Sequence, residues 1–248
     1  MDSLIVNENK KENIKIDSDT YLRFAIKTHI ITDKDDICNV AEQYAKKHLQ
    51  KGDILFITEK IVACTQGRAI PMKDIKPGRL AKFLCKFVLK TPHGIGLGIP
   101  ETMEMALREC GTIRILFAAA ISAIGKVLGK RGWFYNIAGY RARSIDGPCD
   151  CTIPPYNEYV VLGPAEPDYV ARKISYMLGG VSVIITDIND LDGQILGAYP
   201  KNIDRELMVK ILKDNPLGQE RQQTPMGIIR KAENHNKACL HEGELIFT

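Results

Sequence analysis

Val181 to Gly197 reads VSVIITDINDLDGQILG, and how this stretch is read decides the fold. Four of its first five residues are β-branched, and only Ser182 is polar. A run that short and apolar, entered through Gly179-Gly180, predicts a strand buried on both faces. It ends at Thr186-Asp187, with Asn189, Asp190 and Asp192 close behind. A carboxylate at the end of a buried strand stands where α/β proteins place their sites, because side chains converge there on the open edge of the sheet. Oxygen ligands of this kind suit Mg²⁺ or Mn²⁺ better than zinc. The same residues also fit a polar turn after a core strand, and Gly193 to Gly197 reads as turn chemistry.

Asp168 is placed to cap a helix from Tyr169 to Leu178 that leads into this strand. Ile54 to Ile57 predicts a second buried strand, followed by Thr58-Glu59-Lys60 and the apolar pair Ile61-Val62. Glu59 and Lys60 therefore fall where the backbone changes direction, a solvated turn unless chemistry uses them. Tyr21 to Ile31 partly alternates as a strand does, and a helix bearing Ile37, Val40, Ala41 and Tyr44 on one face follows Asp33, Asp35 and Asp36. Leu80 to Val88, Glu101 to Glu109 and Ile113 to Leu128 read as helices, the last apolar enough to be buried. Trp133-Phe134-Tyr135 opens a strand, and Tyr159 to Leu162 is another. Asp204 caps a helix through Lys213, Met226 to Ile229 reads as a strand, and Leu240 to Phe247 reads as an edge strand. Residues 1 to 16 read as a flexible lead-in without the apolar core of a signal peptide. The remainder, 17 to 248, is one mixed α/β (α+β) domain that can split into two discontinuous lobes.

The 248 residues carry a formal net charge of +4 with Lys and Arg scattered, so no nucleic-acid footprint is indicated. A weak preference for anionic, phosphate-bearing ligands is the most this charge supports. Seven cysteines without framework spacing fit reduced thiols in a cytoplasmic protein. Cys149-Asp150-Cys151 lacks the second pair or nearby His that a zinc site needs. Ile115 to Gly125, the longest uncharged apolar run, is too short to span a bilayer. Thr91 to Pro100, with Gly94, Gly96 and Gly98, reads as a mobile loop and matches no nucleotide fingerprint.

In their order, several of these segments resemble the coenzyme F420-0:L-glutamate ligase family, the γ-glutamyl ligases of deazaflavin cofactor synthesis. GDILFITEKIVACTQGR is similar to that family's strand, polar pair and Gly-Arg segment. NIAG resembles its Asn-Ala-Gly signature, VSVIITD its strand ending in Thr-Asp, and LGQERQQTPMGIIR its closing Gly-Gln segment and final strand. The resemblance covers roughly residues 20 to 232.

It implies a γ-glutamyl ligase-like fold of two intimately joined lobes, a homodimer, and GTP or ATP as co-substrate with Mg²⁺ or Mn²⁺. It also implies an amide made between a carboxylate such as F420-0 and L-glutamate. Asp187 and Gln219 match the family's metal-binding residues, and Glu59 and Lys60 its polar pair near the nucleotide. The family's lysine beyond that pair falls on Cys64, its acid after Asn-Ala-Gly falls on Arg141, and the threonine after the metal aspartate is Ile188. Asp146 is the nearest downstream acid and the candidate third ligand.

Amide formation from a carboxylate needs an activated acyl group, which a γ-phosphate supplies as an acyl phosphate. Positioning and charge neutralisation do most of that work. Asp187, Asp146 and Gln219 would hold metal, and Lys60, Arg141 or Arg143 would neutralise phosphate oxygens. A metal-dependent amide hydrolase or a non-catalytic nucleotide-binding relative would use an overlapping set.

Overall fold

The structure, a computed structural model, describes residues 4–88, 95–127, 129, 132–189, 193–218 and 221–232. The strands are β1 (Leu4–Ile5), β2 (Asn13–Ile16), β3 (Asp19–Ile26), β4 (Ile54–Thr58), β5 (Ala69–Pro71), β6 (Tyr159–Val161), β7 (Ser182–Ile188), β8 (Gly193–Tyr199) and β9 (Met226–Lys231). The helices are α1 (Ile37–Ala45), α2 (Glu59–Thr65), α3 (Arg79–Leu84), α4 (Pro100–Cys110), α5 (Thr112–Val127), α6 (Trp133–Ala138), α7 (Tyr140–Arg143), α8 (Pro167–Met177) and α9 (Arg205–Leu212). This is a mixed α/β architecture. Its main sheet runs β1-β3-β9-β4-β7-β8, with β2 on β3, and β5 pairs with β6 apart from it.

β4 and β7 form the parallel pair at the centre, in register from Ile54 opposite Ser182 to Thr58 opposite Thr186. Strand periodicity then sorts their side chains to the two faces. Leu55, Ile57, Val183 and Ile185 join one core with α1 and α8 residues such as Ala41 and Ile174. Phe56 and Ile184 join the opposite core with Met208, Ile211 and Leu212 of α9. A third apolar cluster gathers Ala81, Met103, Ile115, Ala142 and Val160 from the remaining helices and β6. No helix among the described residues is long and apolar enough to cross a membrane.

Several expectations are corrected. Leu4–Ile5 and Asn13–Ile16 are strands paired to β3, not a flexible lead-in, and the buried Asn7 amide donates to Pro216 O and Thr224 Oγ1. Gly193–Tyr199 is a strand antiparallel to β7 with a register shift between Ile185 and Thr186. Gly197 is there for close approach: a side chain would strike the Pro167 carbonyl at the start of α8. Trp133–Ala138 is helical, not a strand. α5 forms, but Ile113, Phe117 and Ile124 are exposed, and Ile115 and Ala118 face the core. Asp168 does not cap α8; it accepts from Ala198 N and Arg205 Nη2, tying α8 to β8 and α9. Asp204 does cap its helix, accepting from Leu207 N at 3.0 Å. Leu240 to Phe247 lies outside the described residues.

On β9, Gly227 lies directly opposite Phe56. A Cβ there would meet both the Phe24 carbonyl and the Phe56 ring. Gly227→Ala should therefore overpack the centre of the sheet, at a cost of about 1 to 3 kcal/mol. Urea unfolding of the variant checks this, and an unchanged midpoint would contradict the packing described.

Candidate functional site at the carboxyl ends of the central strands

Because β4 and β7 run parallel, their carboxyl ends lie at the same edge of the sheet, where β4 ends at Thr58 and β7 runs on to Ile188 beside β8. Thr58 turns β4 into α2: its hydroxyl accepts from Lys60 N at 3.3 Å as the helix cap. Thr186, level with Thr58, ties β7 to β4 by donating its hydroxyl to Ile57 O. Glu59, Lys60 and Asp187 follow these threonines directly, so strand register places all three at one end of the sheet.

Glu59 is not in a solvated turn. It opens α2, is only 6% exposed, and receives a 3.4 Å hydrogen bond from the Tyr140 hydroxyl. Lys60 Nζ lies 3.0 Å from Asp146 Oδ2, with both side chains about half exposed. Asp146 is held by a bridge to β6, through Asp146 N to Val161 O at 2.8 Å and Val161 N to Asp146 O at 3.0 Å. Asp187 is half-buried and within electrostatic range of Glu59, Lys60 and Tyr140.

The charges explain one another. Burial, then the negative charges of Asp187 and Asp146, hold the Glu59 carboxyl well above the usual carboxylate range. Asp146 keeps the Lys60 ammonium protonated by raising its affinity for its proton, against the opposing effect of desolvation. Burial, then the charge on Glu59, pushes the Tyr140 phenol up. Three carboxyl groups thus crowd one ammonium, an arrangement that favours a cation or a neutral carboxyl. Their chemistry is all oxygen, which fits Mg²⁺ or Mn²⁺. Among the described residues, however, no three acidic, His or Cys side chains converge closely enough to form a metal-ligand cluster. Gln219, Asp190 and Asp192 lie outside the described residues.

The structure brings Glu59, Lys60, Asp146 and Asp187 together and leaves the other candidates elsewhere. Cys64 is buried one turn along α2, where desolvation pushes its thiol up to about 11 and Tyr156 is its neighbour. Arg141 has Cys110 as its electrostatic neighbour and lines a cavity at the far end of α2. Arg143 is exposed beside Tyr135. Neither arginine forms an ion pair among the described residues. Cys149 and Cys151 are joined by a disulfide, which corrects the expectation of free thiols at that pair and removes both as metal ligands. Tyr140 is the site residue that sequence reasoning missed; its place immediately after Asn136-Ile137-Ala138-Gly139 was the available signal.

Fold and geometry define a cluster of three carboxyl groups around one lysine at the carboxyl edge of a mixed α/β sheet. Residues 25–196 match the family model of the F420-0:Gamma-glutamyl ligase, and the chain belongs to that ligase family. A search of curated proteins gave no match.

Glu59 titrates higher in the folded than in the unfolded chain. Its contribution to stability is therefore complete below the unfolded value and lost as pH rises through the folded one. Glu59→Gln should match the parent in weakly acidic buffer and become the more stable of the two as pH rises. Chemical denaturation of the metal-free proteins across that range reads the difference, and parallel pH profiles would sink the assignment.

Proposed function

We propose that the chain is a nucleotide- and divalent-metal-dependent ligase that joins a carboxylate substrate such as F420-0 to L-glutamate through a γ-glutamyl-type amide. GTP or ATP supplies the phosphoryl group. The observation that carries this reading is the meeting of Glu59, Asp146 and Asp187 around Lys60 at the carboxyl end of the central strands. Family membership supports the ligase class.

In this reading a substrate carboxylate oxygen bonds to the γ-phosphorus as the bridging P–O bond breaks, releasing the nucleoside diphosphate. The glutamate amine then attacks the acyl carbon, the C–O bond to phosphate breaks, and inorganic phosphate and one proton leave. Asp187, Asp146 and Gln219 would hold Mg²⁺ or Mn²⁺, which when bound neutralises phosphate charge. Lys60 sits among these carboxylates as the cation available for a phosphate oxygen, and Asp146 keeps it charged in the meantime. Tyr140 fixes Glu59 by its hydrogen bond. No side-chain nucleophile is needed.

One observation favours a second reading, a relative that binds nucleotide without turnover. Where the family carries a lysine, this chain has the buried, hard-to-ionise thiol of Cys64, which offers a phosphate no charge.

Removing a cation that touches phosphate forfeits a charged hydrogen bond worth about 1.5 to 3 kcal/mol. Lys60→Ala should therefore weaken GTP or ATP binding about tenfold or more in calorimetry with Mn²⁺ present. Asp187→Asn should weaken Mn²⁺ binding by a similar factor, about tenfold, while the metal-free protein melts as the parent does. If the parent binds neither nucleotide in Mn²⁺, the nucleotide reading is lost. If it binds but never releases phosphate with glutamate and F420-0 supplied, the non-catalytic reading replaces it.

A further inference from the structure

The ligase reading makes no use of Cys149 and Cys151, which a disulfide joins across a single intervening residue. They stand in a tight turn, where Thr152 N donates to Cys149 O at 3.0 Å and Cys151 N donates to Cys149 Sγ at 3.3 Å. From a distant segment of the chain, the Arg221 guanidinium donates to Asp150 O at 2.9 Å and pins the middle of the turn. Asp146 lies three residues upstream, a length of chain that spans at most about 11 Å.

The cysteines are distributed in the opposite way to those of a structural staple. Cys149 and Cys151 are both exposed. Cys38, Cys64 and Cys85 are free and buried, and Cys110 is free and half-buried. A disulfide stabilises a fold mainly by closing a loop of the unfolded chain, and the effect shrinks with the loop. A bridge over one residue closes almost no loop, so it adds little to the fold. Exposure leaves its sulfurs open to thiolates in solution, and exposed bridges are the ones that exchange. The turn is held by backbone hydrogen bonds and by Arg221, none of which needs the S–S bond. With Cα atoms 5.3 Å apart, the two residues stay neighbours when the bond opens, and it can re-form without moving the chain.

We propose that Cys149 and Cys151 form a reversible redox centre, a site of thiol–disulfide exchange with small thiols and disulfides. In the reducing direction one thiolate of a dithiol attacks Cys151 Sγ. The S–S bond breaks, and its electron pair stays on Cys149 Sγ, to which Cys151 N donates its hydrogen bond. The second thiolate of the dithiol then attacks its own sulfur in the mixed disulfide and releases Cys151. The dithiol leaves as a cyclic disulfide, and the two protons it gave up go to the two cysteines. A small disulfide runs the sequence backwards and is itself reduced to two thiols. The exchange needs neither metal nor nucleotide, so its outcome is separate from that of the ligase reading.

Thiol trapping on the whole, folded chain tests it. After equilibration with oxidised glutathione, acid quenching, alkylation and peptide mass spectrometry should find Cys149 linked to Cys151. Dithiothreitol without denaturant should make both alkylatable while the buried Cys38, Cys64 and Cys85 stay unlabelled, and oxidised glutathione should restore the bridge. Cys149→Ser and Cys151→Ser each remove the resolving thiol. Each should therefore accumulate a glutathione mixed disulfide on the remaining cysteine, at least about tenfold above the parent, in which the intramolecular step is favoured. The double variant should melt as the parent does. A bridge that opens only in denaturant, together with labelling of Cys38, Cys64 and Cys85, is structural and overturns the proposal. So does a large fall in the melting midpoint of the double variant. Failure of oxidised glutathione to link Cys149 to Cys151 in the parent overturns it as well.

Discussion

The parallel pairing of β4 with β7 is the constraint on which the rest of the molecule depends. Five successive residues of each strand are matched, from Ile54 and Ser182 to Thr58 and Thr186. Alternation along these strands supplies both cores at once, one beneath α1 and α8 and the other beneath α9. Antiparallel β9 completes the centre on the β4 side, with Gly227 yielding its side-chain space to Phe56. On the other side β8 covers β7, and Gly197 lets the start of α8 come against it. Because the two central strands are parallel and in register, the polar groups at their carboxyl ends need no long loop to meet.

Electrostatically the site is out of balance by design of its sequence rather than by accident of a loop. Glu59 takes the first position of α2, where the helix dipole favours a negative charge. Burial and two neighbouring carboxylates outweigh that preference and push its carboxyl well above the usual carboxylate range. Lys60 answers Asp146, and Tyr140 answers Glu59.

α2 links two polar regions of different character. Its first residues carry the acid cluster, and its last residues, Thr65 and Gln66, border a cavity lined by both acids and bases, among them Asp36, Glu166, Arg141 and Lys173. Residues 140 and 141 are adjacent in sequence yet serve opposite ends: Tyr140 reaches Glu59, and Arg141 lines the cavity. A short helix, α7, points successive side chains about 100° apart, which is enough to divide them between the two regions.

Much of this was legible in the amino-acid order alone. The β-branched run from Val181 to Ile185 and the apolar run from Ile54 to Ile57 could hardly be anything but buried strands, and the acids behind them fall at the carboxyl edge of the sheet. Asp204 announced α9 by its capping chemistry. Local pattern misled where long-range packing decides: Trp133-Phe134-Tyr135 looks like a strand but packs as a helix, and the apolar α5 leaves Ile113 and Phe117 exposed. Gly193 to Gly197 read as a turn because glycines signal turns, whereas Gly197 is required by contact with α8, far away in sequence. The sequence by itself determined the central strands and the residue types at their ends. Only the tertiary structure decided that Asp146 and Tyr140 join Glu59, Lys60 and Asp187 while Arg141 does not. Burial and like-charge crowding are properties of groups brought together from distant segments, and no local spacing encodes them.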